Sequence, residues 1–197
     1  GDTIHYNPVS LRPAMRAYTV FIDGISKSLA ATGVRVGWSF GPANIIAKMK
    51  ALLSHIGAWA PMAEQYAVAA YLNQPEKITA FQNEFKEALE DRLRKIYAGF
   101  IALKEKGFPV DAIAPQAAIY LTIKLDIFGK TANGQTLGSQ SCVTTYLLDE
   151  AKLAVVPFYA FGNDDHSPWY RLSVGTCRTA EIPPMLLQLE KALEKLS

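Results

Sequence analysis

Hydrophobic and polar positions follow two different periods along the chain, and this predicts a mixture of helices and strands. Apolar residues recur at the spacing of amphipathic helices over 44–56, 61–72, 75–106, 141–153 and 181–196. Short runs rich in β-prone residues predict strands over 18–23, 34–40, 110–113, 118–125 and 169–175. Segment 128–140, rich in Gly, Thr, Asn and Ser, is expected to connect elements, with a flap over a site as the alternative. The pattern indicates an α/β protein.

The first predicted strand, residues 18–23, leads directly into the one stretch whose composition suggests chemistry. Between Gly24 and Gly37, small and hydroxylated residues surround a single lysine, Lys27. A solvated surface position is the ordinary state of a lysine. Because the strand before it is predicted to be buried, we expect instead an amine in an apolar pocket. Burial disfavours the charged form of an amine, and a neutral amine forms a Schiff base with an aldehyde.

Two further side chains in this stretch suit a phosphate group. Ser26 offers a hydroxyl, and Arg35, between Gly33 and Gly37, offers a guanidinium that binds phosphate through two hydrogen bonds. Together with Lys27 they fit a phosphorylated aldehyde such as pyridoxal 5′-phosphate (PLP).

The stretch from Gly24 to Gly37 closely resembles the lysine signature of the class I/II aminotransferases, which are fold-type-I PLP enzymes. That signature is Gly or Ser, an apolar residue, a small residue, Lys, and then, after small and apolar positions, Gly-x-Arg-apolar-Gly. The resemblance implies that Lys27 holds PLP as a Schiff base and shuttles a proton between substrate Cα and cofactor. It also implies that Arg35 binds the cofactor phosphate.

A second arginine, Arg171, stands among apolar residues in the predicted strand over 169–175. A buried arginine requires a partner, so the residues alone predict a structural salt bridge as readily as a ligand site. The resemblance implies that Arg171 binds the α-carboxylate of the substrate.

The resemblance also implies a domain organisation. Residues 1–75 are expected to be the C-terminal part of the PLP-binding large domain, and residues 76–197 the interdomain helix and a small α/β domain. Since roughly half of a related enzyme precedes its lysine, we interpret the chain as a C-terminal fragment that is inactive alone. Family members usually work as homodimers, which implies a second subunit as partner.

Two motifs depart from the family pattern. Phe158 stands where the family usually has the glycine of an apolar-Val-Pro-Gly motif, and this predicts a changed local shape of the pocket wall. At 117–120, where the family has Gly-aromatic-Tyr, the chain reads Ala-Ala-Ile-Tyr and keeps only Tyr120.

Composition excludes several other classes of function. With a net charge of +2 over 197 residues, the chain lacks the charge excess typical of proteins that bind nucleic acid or membrane surfaces. No apolar run approaches the roughly 18 residues that span a bilayer. Cys142 and Cys177 are expected to be reduced core thiols of a cytoplasmic protein. The polar run 163–166 is expected to be a solvated loop, and no metal site is predicted.

The resemblance implies a PLP-dependent aminotransferase that moves an α-amino group from an amino acid to a 2-oxo acid. The chain resembles the aspartate-type members of the family, so aspartate is a candidate substrate. Two alternatives stay open at this point. One is another fold-type-I PLP enzyme such as a C–S β-lyase, and the other is a non-catalytic sensor built on the same fold.

Overall fold

The computed structural model describes residues 3–197. The chain divides into two compact units, residues 4–86 and residues 87–197. The division falls inside one long helix, α5 (Pro75–Glu105). The boundary predicted at residue 75 coincides with the first residue of this helix, and the assignment of 1–75 and 76–197 to two domains stays a prediction. Helices and β-sheets occur in both units, so the α/β class is confirmed.

The first unit, residues 4–86, contains a two-stranded antiparallel sheet and several helices. Its small core is the buried cluster of Ile25, Val36 and Val68. The helices predicted over 44–56 and 61–72 are confirmed to within a residue. The elements are α1 (Pro8–Leu11), a 3-10 turn (Pro13–Tyr18), β1 (Phe21–Gly24), α2 (Ile25–Ser28), a 3-10 turn (Thr32–Val34), β2 (Gly37–Phe40), α3 (Ala43–Ile56), α4 (Met62–Leu72) and the start of α5.

Helix α5 forms because Pro75 pre-sets the backbone of its first turn and its charges are spaced for pairing one turn apart. Arg94 binds Glu90 at 2.6 Å, and Lys95 binds Asp91 at 2.8 Å, both on the wet side of the helix. These pairs lie on the polar side of the amphipathic helix predicted over 75–106. In the second unit, the opposite side of α5 is buried through Leu89, Leu93, Ile96, Phe100 and Leu103, spaced three or four residues apart.

The second unit, residues 87–197, is built on a four-stranded antiparallel sheet in the order β3-β4-β8-β7. One face of this sheet is buried by alternate residues of β4, while the other face is half-exposed. Its elements after α5 are β3 (Val110–Ala112), β4 (Tyr120–Leu125), β5 (Thr131–Ala132), β6 (Gln135–Thr136), α6 (Gln140–Glu150), β7 (Val156–Pro157), a 3-10 turn (Phe158–Phe161), β8 (Trp169–Ser173), a 3-10 turn (Thr179–Glu181) and α7 (Ile182–Glu194).

Segment 128–140 is more ordered than the loop that its composition predicts. β5 and β6 form a short hairpin, and Thr131 exchanges two backbone hydrogen bonds, of 3.0 and 3.1 Å, with Ser197. The Phe128 ring also meets the His166 ring edge-on, with 5.0 Å between centroids. The segment is thus a connection tied to the C-terminal residue. Within residues 3–197, every helix is too short or too polar to cross a membrane.

Candidate active site

Lys27 lies in the one-turn helix α2, directly after β1. Gly24 and Gly37 face each other where β1 and β2 pair, and the two backbones come very close there. A Cβ added to Gly37 would lie 2.9 Å from the Asp23 carbonyl oxygen, and one added to Gly24 would lie 3.0 Å from the Val36 carbonyl oxygen. Any side chain at these two positions would push the strands apart. The two signature glycines therefore allow the close antiparallel pairing of β1 and β2 at this point. The turn that carries Lys27 begins where this pairing ends.

The structure brings Lys27, Ser26 and Arg35 together, since all three line one open pocket of about 510 Å³. The turn around the pocket is held by local hydrogen bonds. Thr32 Oγ1 donates to the Ser26 carbonyl oxygen at 3.0 Å, and Arg35 Nη1 donates to the Thr32 carbonyl oxygen at 3.0 Å. The Arg35 backbone adopts the left-handed conformation, with φ of +61°. The remaining lining residues are Asp23, Gly24, Ser28, Val36 and Gly37.

The surroundings of Lys27 differ from the buried strand that the sequence predicts. Residues 13–18 form a 3-10 turn, so β1 begins only at Phe21, and Ile22 within it is 78% exposed. Lys27 itself is exposed. β1 pairs with a single strand, β2, and within it Ile22 and Asp23 are exposed while Phe21 and Gly24 are half-buried, so little of the described chain packs against its faces. The predicted strand over 34–40 is likewise shortened to Gly37–Phe40, because the chain turns at Thr32–Val34.

The predicted substrate arginine, Arg171, belongs to the second unit and lies on the half-exposed face of β8. Its guanidinium carbon Cζ stands over the Tyr120 ring, 4.4 Å from the centroid, and over the Phe161 ring, 4.9 Å from the centroid. Its Nε is buried without a hydrogen-bond partner. Among residues 3–197 no carboxylate pairs with Arg171. The alternative of a structural salt bridge is therefore wrong within the described chain.

Sequence reasoning missed the two aromatic neighbours of Arg171. In the sequence, Tyr120 and Phe161 stand out only as residues that match family motifs, and neither is assigned a contact with Arg171. Alternation along β4 places Tyr120 on the same face as Thr122, which pairs with Arg171. That signal becomes usable only when the register between β4 and β8 is known.

Phe158, at the position where the family has glycine, begins the 3-10 turn Phe158–Phe161. Its backbone is not left-handed, and the positive φ of this turn falls on Gly162, at +86°. A bulky residue therefore fits at 158 without backbone strain. The change of local shape predicted from Phe158 concerns this turn. The turn ends in Phe161, whose ring lies next to the Arg171 guanidinium.

The polar residues 163–166 form a turn held by their own hydrogen bonds. Asp164 N–H donates to Asn163 Oδ1 at 2.8 Å, and His166 N–H donates to Asp164 Oδ1 at 2.7 Å. Over the described chain, no group of three or more His, Cys, Asp or Glu side chains is arranged to hold a metal ion. Cys142 and Cys177 are both free thiols. Cys142 is exposed in the first turn of α6, so its predicted place in the core is wrong.

The donor set of the Lys27 pocket fits PLP by its chemistry. The pocket offers one primary amine for an aldehyde, two serine hydroxyls, at Ser26 and Ser28, and the guanidinium of Arg35 for a phosphate. Lys27 and Arg35 are the two cations among the lining residues, against one carboxylate, Asp23. Asp23 Oδ1 already accepts the Gly24 N–H at 2.7 Å. The pocket thus suits a ligand that carries an aldehyde and negative charge.

Comparison with known proteins places this geometry in a family. Residues 4–187 match the family model described as aminotransferase class I and II. The aspartate aminotransferase of Geobacillus stearothermophilus is 34% identical over all of the chain, which covers 44% of that protein. The aspartate aminotransferase of Rhizobium meliloti (strain 1021) is 31% identical over 96% of the chain, and the chain again covers 44% of that protein. The chain thus spans somewhat less than half the length of these relatives.

Solved structures agree with the sequence relatives. The crystal structure of the aspartate aminotransferase from Rhizobium meliloti superposes over the whole chain with a TM-score of 0.83 at 28% identity, and the chain covers 47% of it. An aromatic aminotransferase from Pyrococcus horikoshii superposes over 98% of the chain with a TM-score of 0.82 at 25% identity, with 48% of it covered. The matched sequence, the lysine turn and the shared fold agree, and the chain belongs to the aminotransferase class I and II family.

Proposed function

We propose that the protein containing this chain is a PLP-dependent aminotransferase that transfers the α-amino group of an amino acid to a 2-oxo acid. The observation that carries this proposal is the shared pocket of Lys27, Ser26 and Arg35 in a chain of this family. Aspartate is the first donor to test, because the relatives named above are aspartate aminotransferases.

Each residue has a role in the proposal that follows from its chemistry. Lys27 would be the amine for the aldehyde, and once the amino group of the substrate had displaced it, its free Nζ would take up the proton that leaves the substrate Cα. Arg35 holds the phosphate through its guanidinium, and Ser26 adds a hydroxyl donor. Arg171 binds the substrate α-carboxylate. Bound PLP supplies the electron sink for the reacting carbon, and the protein supplies binding and orientation.

The remaining features of the proposal concern the whole protein. We propose a homodimer, as the family resemblance implies, with an amino acid and a 2-oxo acid as its substrates. We also propose a cytoplasmic location, from the expectation that Cys142 and Cys177 are reduced. We also propose that the 197-residue chain does not turn over substrate alone. A turnover assay of the chain, compared with the full-length protein under the same conditions, tests that statement.

The test of function is covalent labelling of the full-length protein. PLP is added, the visible spectrum is recorded, borohydride fixes the cofactor on the amine that holds it, and peptides are mapped. We expect the label on Lys27, and a spectrum that changes with an amino acid and recovers with a 2-oxo acid. Lys27→Ala should remove both label and turnover. Lys48→Ala, which alters an exposed lysine of α3, is the matched control and should change neither.

The outcomes separate the proposal from its alternatives. A label on Lys27 with breakdown of the amino acid, and no exchange of its amino group with a 2-oxo acid, would indicate a β-lyase. A label on Lys27 without any chemical change in the amino acid would indicate a sensor. A label on a different lysine would overturn the assignment of Lys27.

A further inference from the structure

Arg171 is supported by aromatic rings in place of a carboxylate. Its Cζ lies 4.4 Å from the centroid of Tyr120 and 4.9 Å from that of Phe161. Both distances are within the roughly 6 Å over which a guanidinium is attracted to the face of an aromatic ring. We infer that Tyr120 and Phe161 form an aromatic clamp that fixes the Arg171 guanidinium in the orientation needed to bind a carboxylate in its plane.

The sheet brings the two rings to Arg171 from opposite flanks of β8. On one flank, Thr122 of β4 pairs with Arg171, and Tyr120 is its diagonal neighbour on the same face. On the other flank, Val156 of β7 pairs with Arg171, and the chain then continues directly into the 3-10 turn that carries Phe161. The clamp thus depends on the register of three strands.

Within residues 3–197, this arrangement leaves the positive charge of Arg171 available to bind an anionic ligand. An acidic neighbour would neutralise the guanidinium and occupy its donors, whereas an aromatic ring stabilises the cation without accepting its N–H groups in the plane. No ion pair to Arg171 is formed within residues 3–197, and its Nε has no hydrogen-bond partner. Within these residues, Arg171 is thus held by aromatic contacts and not by a carboxylate.

The clamp restricts how an anion approaches Arg171. A ring that stacks on the face of a guanidinium does not use its in-plane N–H groups, and a planar carboxylate binds these groups through two parallel hydrogen bonds. Tyr120 and Phe161 are thus positioning residues that act through Arg171. The inference rests on the proposed function only in identifying this carboxylate as that of the substrate.

The orientation of Arg171 can be measured in the 197-residue chain without any enzymatic assay. Ring currents should displace the ¹⁵N–¹H signal of Arg171 Nε, which Arg171→Lys identifies by its loss. Tyr120→Leu and Phe161→Leu should each move this signal toward that of a free arginine, while Tyr120→Phe should retain it. Phe128→Leu is the matched control, because Phe128 contacts His166 in the same unit, and it should leave the signal unchanged.

Carboxylate binding is measured in the same samples by titration with sodium acetate. The Arg171 signal should shift on titration, and the two leucine variants should need roughly three- to tenfold more acetate, the loss expected for one cation–π contact. In the full-length enzyme, the same variants should raise KM for every amino acid by a similar factor and leave kcat nearly unchanged. Tyr120→Phe keeps the ring and should have the KM of the wild-type enzyme. Since Phe161 is 57% exposed, its leucine variant keeps the test valid if Tyr120→Leu does not fold.

The results distinguish the clamp from the proposed function. Leucine variants with an unchanged Arg171 signal and unchanged acetate titration would overturn the clamp, whatever the enzyme does. A wild-type full-length protein without transamination would overturn the proposed function, while the acetate titration would still decide the clamp.

Discussion

Ala118 adopts a left-handed backbone conformation, with φ of +67°, two residues before β4 begins. A side chain in this conformation costs roughly 1–2 kcal/mol, whereas glycine adopts it freely at an entropic cost of roughly 0.5–1 kcal/mol. The family pattern has glycine at this place. We therefore expect Ala118→Gly to raise the free energy of unfolding by about 0.5 kcal/mol, measured by urea denaturation. Ala98→Gly, in the exposed interior of α5, is the matched control and should lower it by about 1 kcal/mol.

A second residue-scale prediction concerns Asp111, which joins β3 to the end of α5. Lys104 Nζ donates to Asp111 Oδ2 at 2.6 Å, and the Ala112 N–H donates to Oδ1 at 2.8 Å. The hydrogen bond from Lys104 is the larger cause and that from Ala112 the next, and together they lower the pKa of Asp111 below its ordinary value. A carboxyl group with a lowered folded-state pKa stabilises the fold above its unfolded pKa and loses this contribution as pH falls through the folded pKa.

Asp111→Asn should therefore lower the free energy of unfolding by a constant amount above about pH 5, and the difference from wild type should shrink below about pH 4. The amount should not exceed about 1 kcal/mol, since the pair is partly exposed. Urea denaturation at a series of pH values measures it. A difference that persists unchanged to pH 2 would contradict the assignment.

At the scale of elements, Gln140 links α6 to β8 and to the loop before it. Gln140 is buried, its Nε2 donates to the Ser167 carbonyl oxygen at 2.5 Å, and its Oε1 accepts from the Tyr170 hydroxyl. Gln140→Leu leaves the buried Tyr170 hydroxyl and the partly buried Ser167 carbonyl oxygen without this hydrogen bond, so we expect a loss of about 2–4 kcal/mol in the free energy of unfolding. Gln116→Leu, at an exposed glutamine, should change it by less than about 0.5 kcal/mol. Equal losses in the two variants would contradict a linking role for Gln140.

The elements that the sequence predicts well are those whose cause is local. α3 and α5 follow from apolar spacing and from charge pairs one turn apart, and their bounds are predicted to within a residue or two. The predicted burial of β1 is wrong because the burial of a strand depends on what packs against its two faces, which the run 18–23 does not encode. The same distinction applies to the site. Lys27, Ser26 and Arg35 are close in sequence and share a pocket, whereas the rings around Arg171 depend on strand register.

At the scale of the whole molecule, buried apolar surface is distributed very unevenly. Of the described residues, the core contains three buried hydrophobic side chains in residues 4–86 and 25 in residues 87–197. Fourteen of the twenty large hydrophobic side chains that are exposed lie between Ile4 and Leu72. Local stability follows buried apolar contact, so the two units should open with different free energies.

Hydrogen exchange of the 197-residue chain, followed by mass spectrometry, tests this difference. Peptides from 4–72 should exchange well before peptides from 110–193, since few buried contacts hold the first unit closed. Phe100 is fully buried, and Phe100→Ala removes about 3–5 kcal/mol from its surroundings. It should therefore accelerate exchange in 110–193 and leave 4–72 unchanged, while Tyr18→Ala, at an 83% exposed ring, should not affect 110–193. If Phe100→Ala accelerated exchange equally in both units, they would unfold as one cooperative body, and the uneven core would not govern their stability.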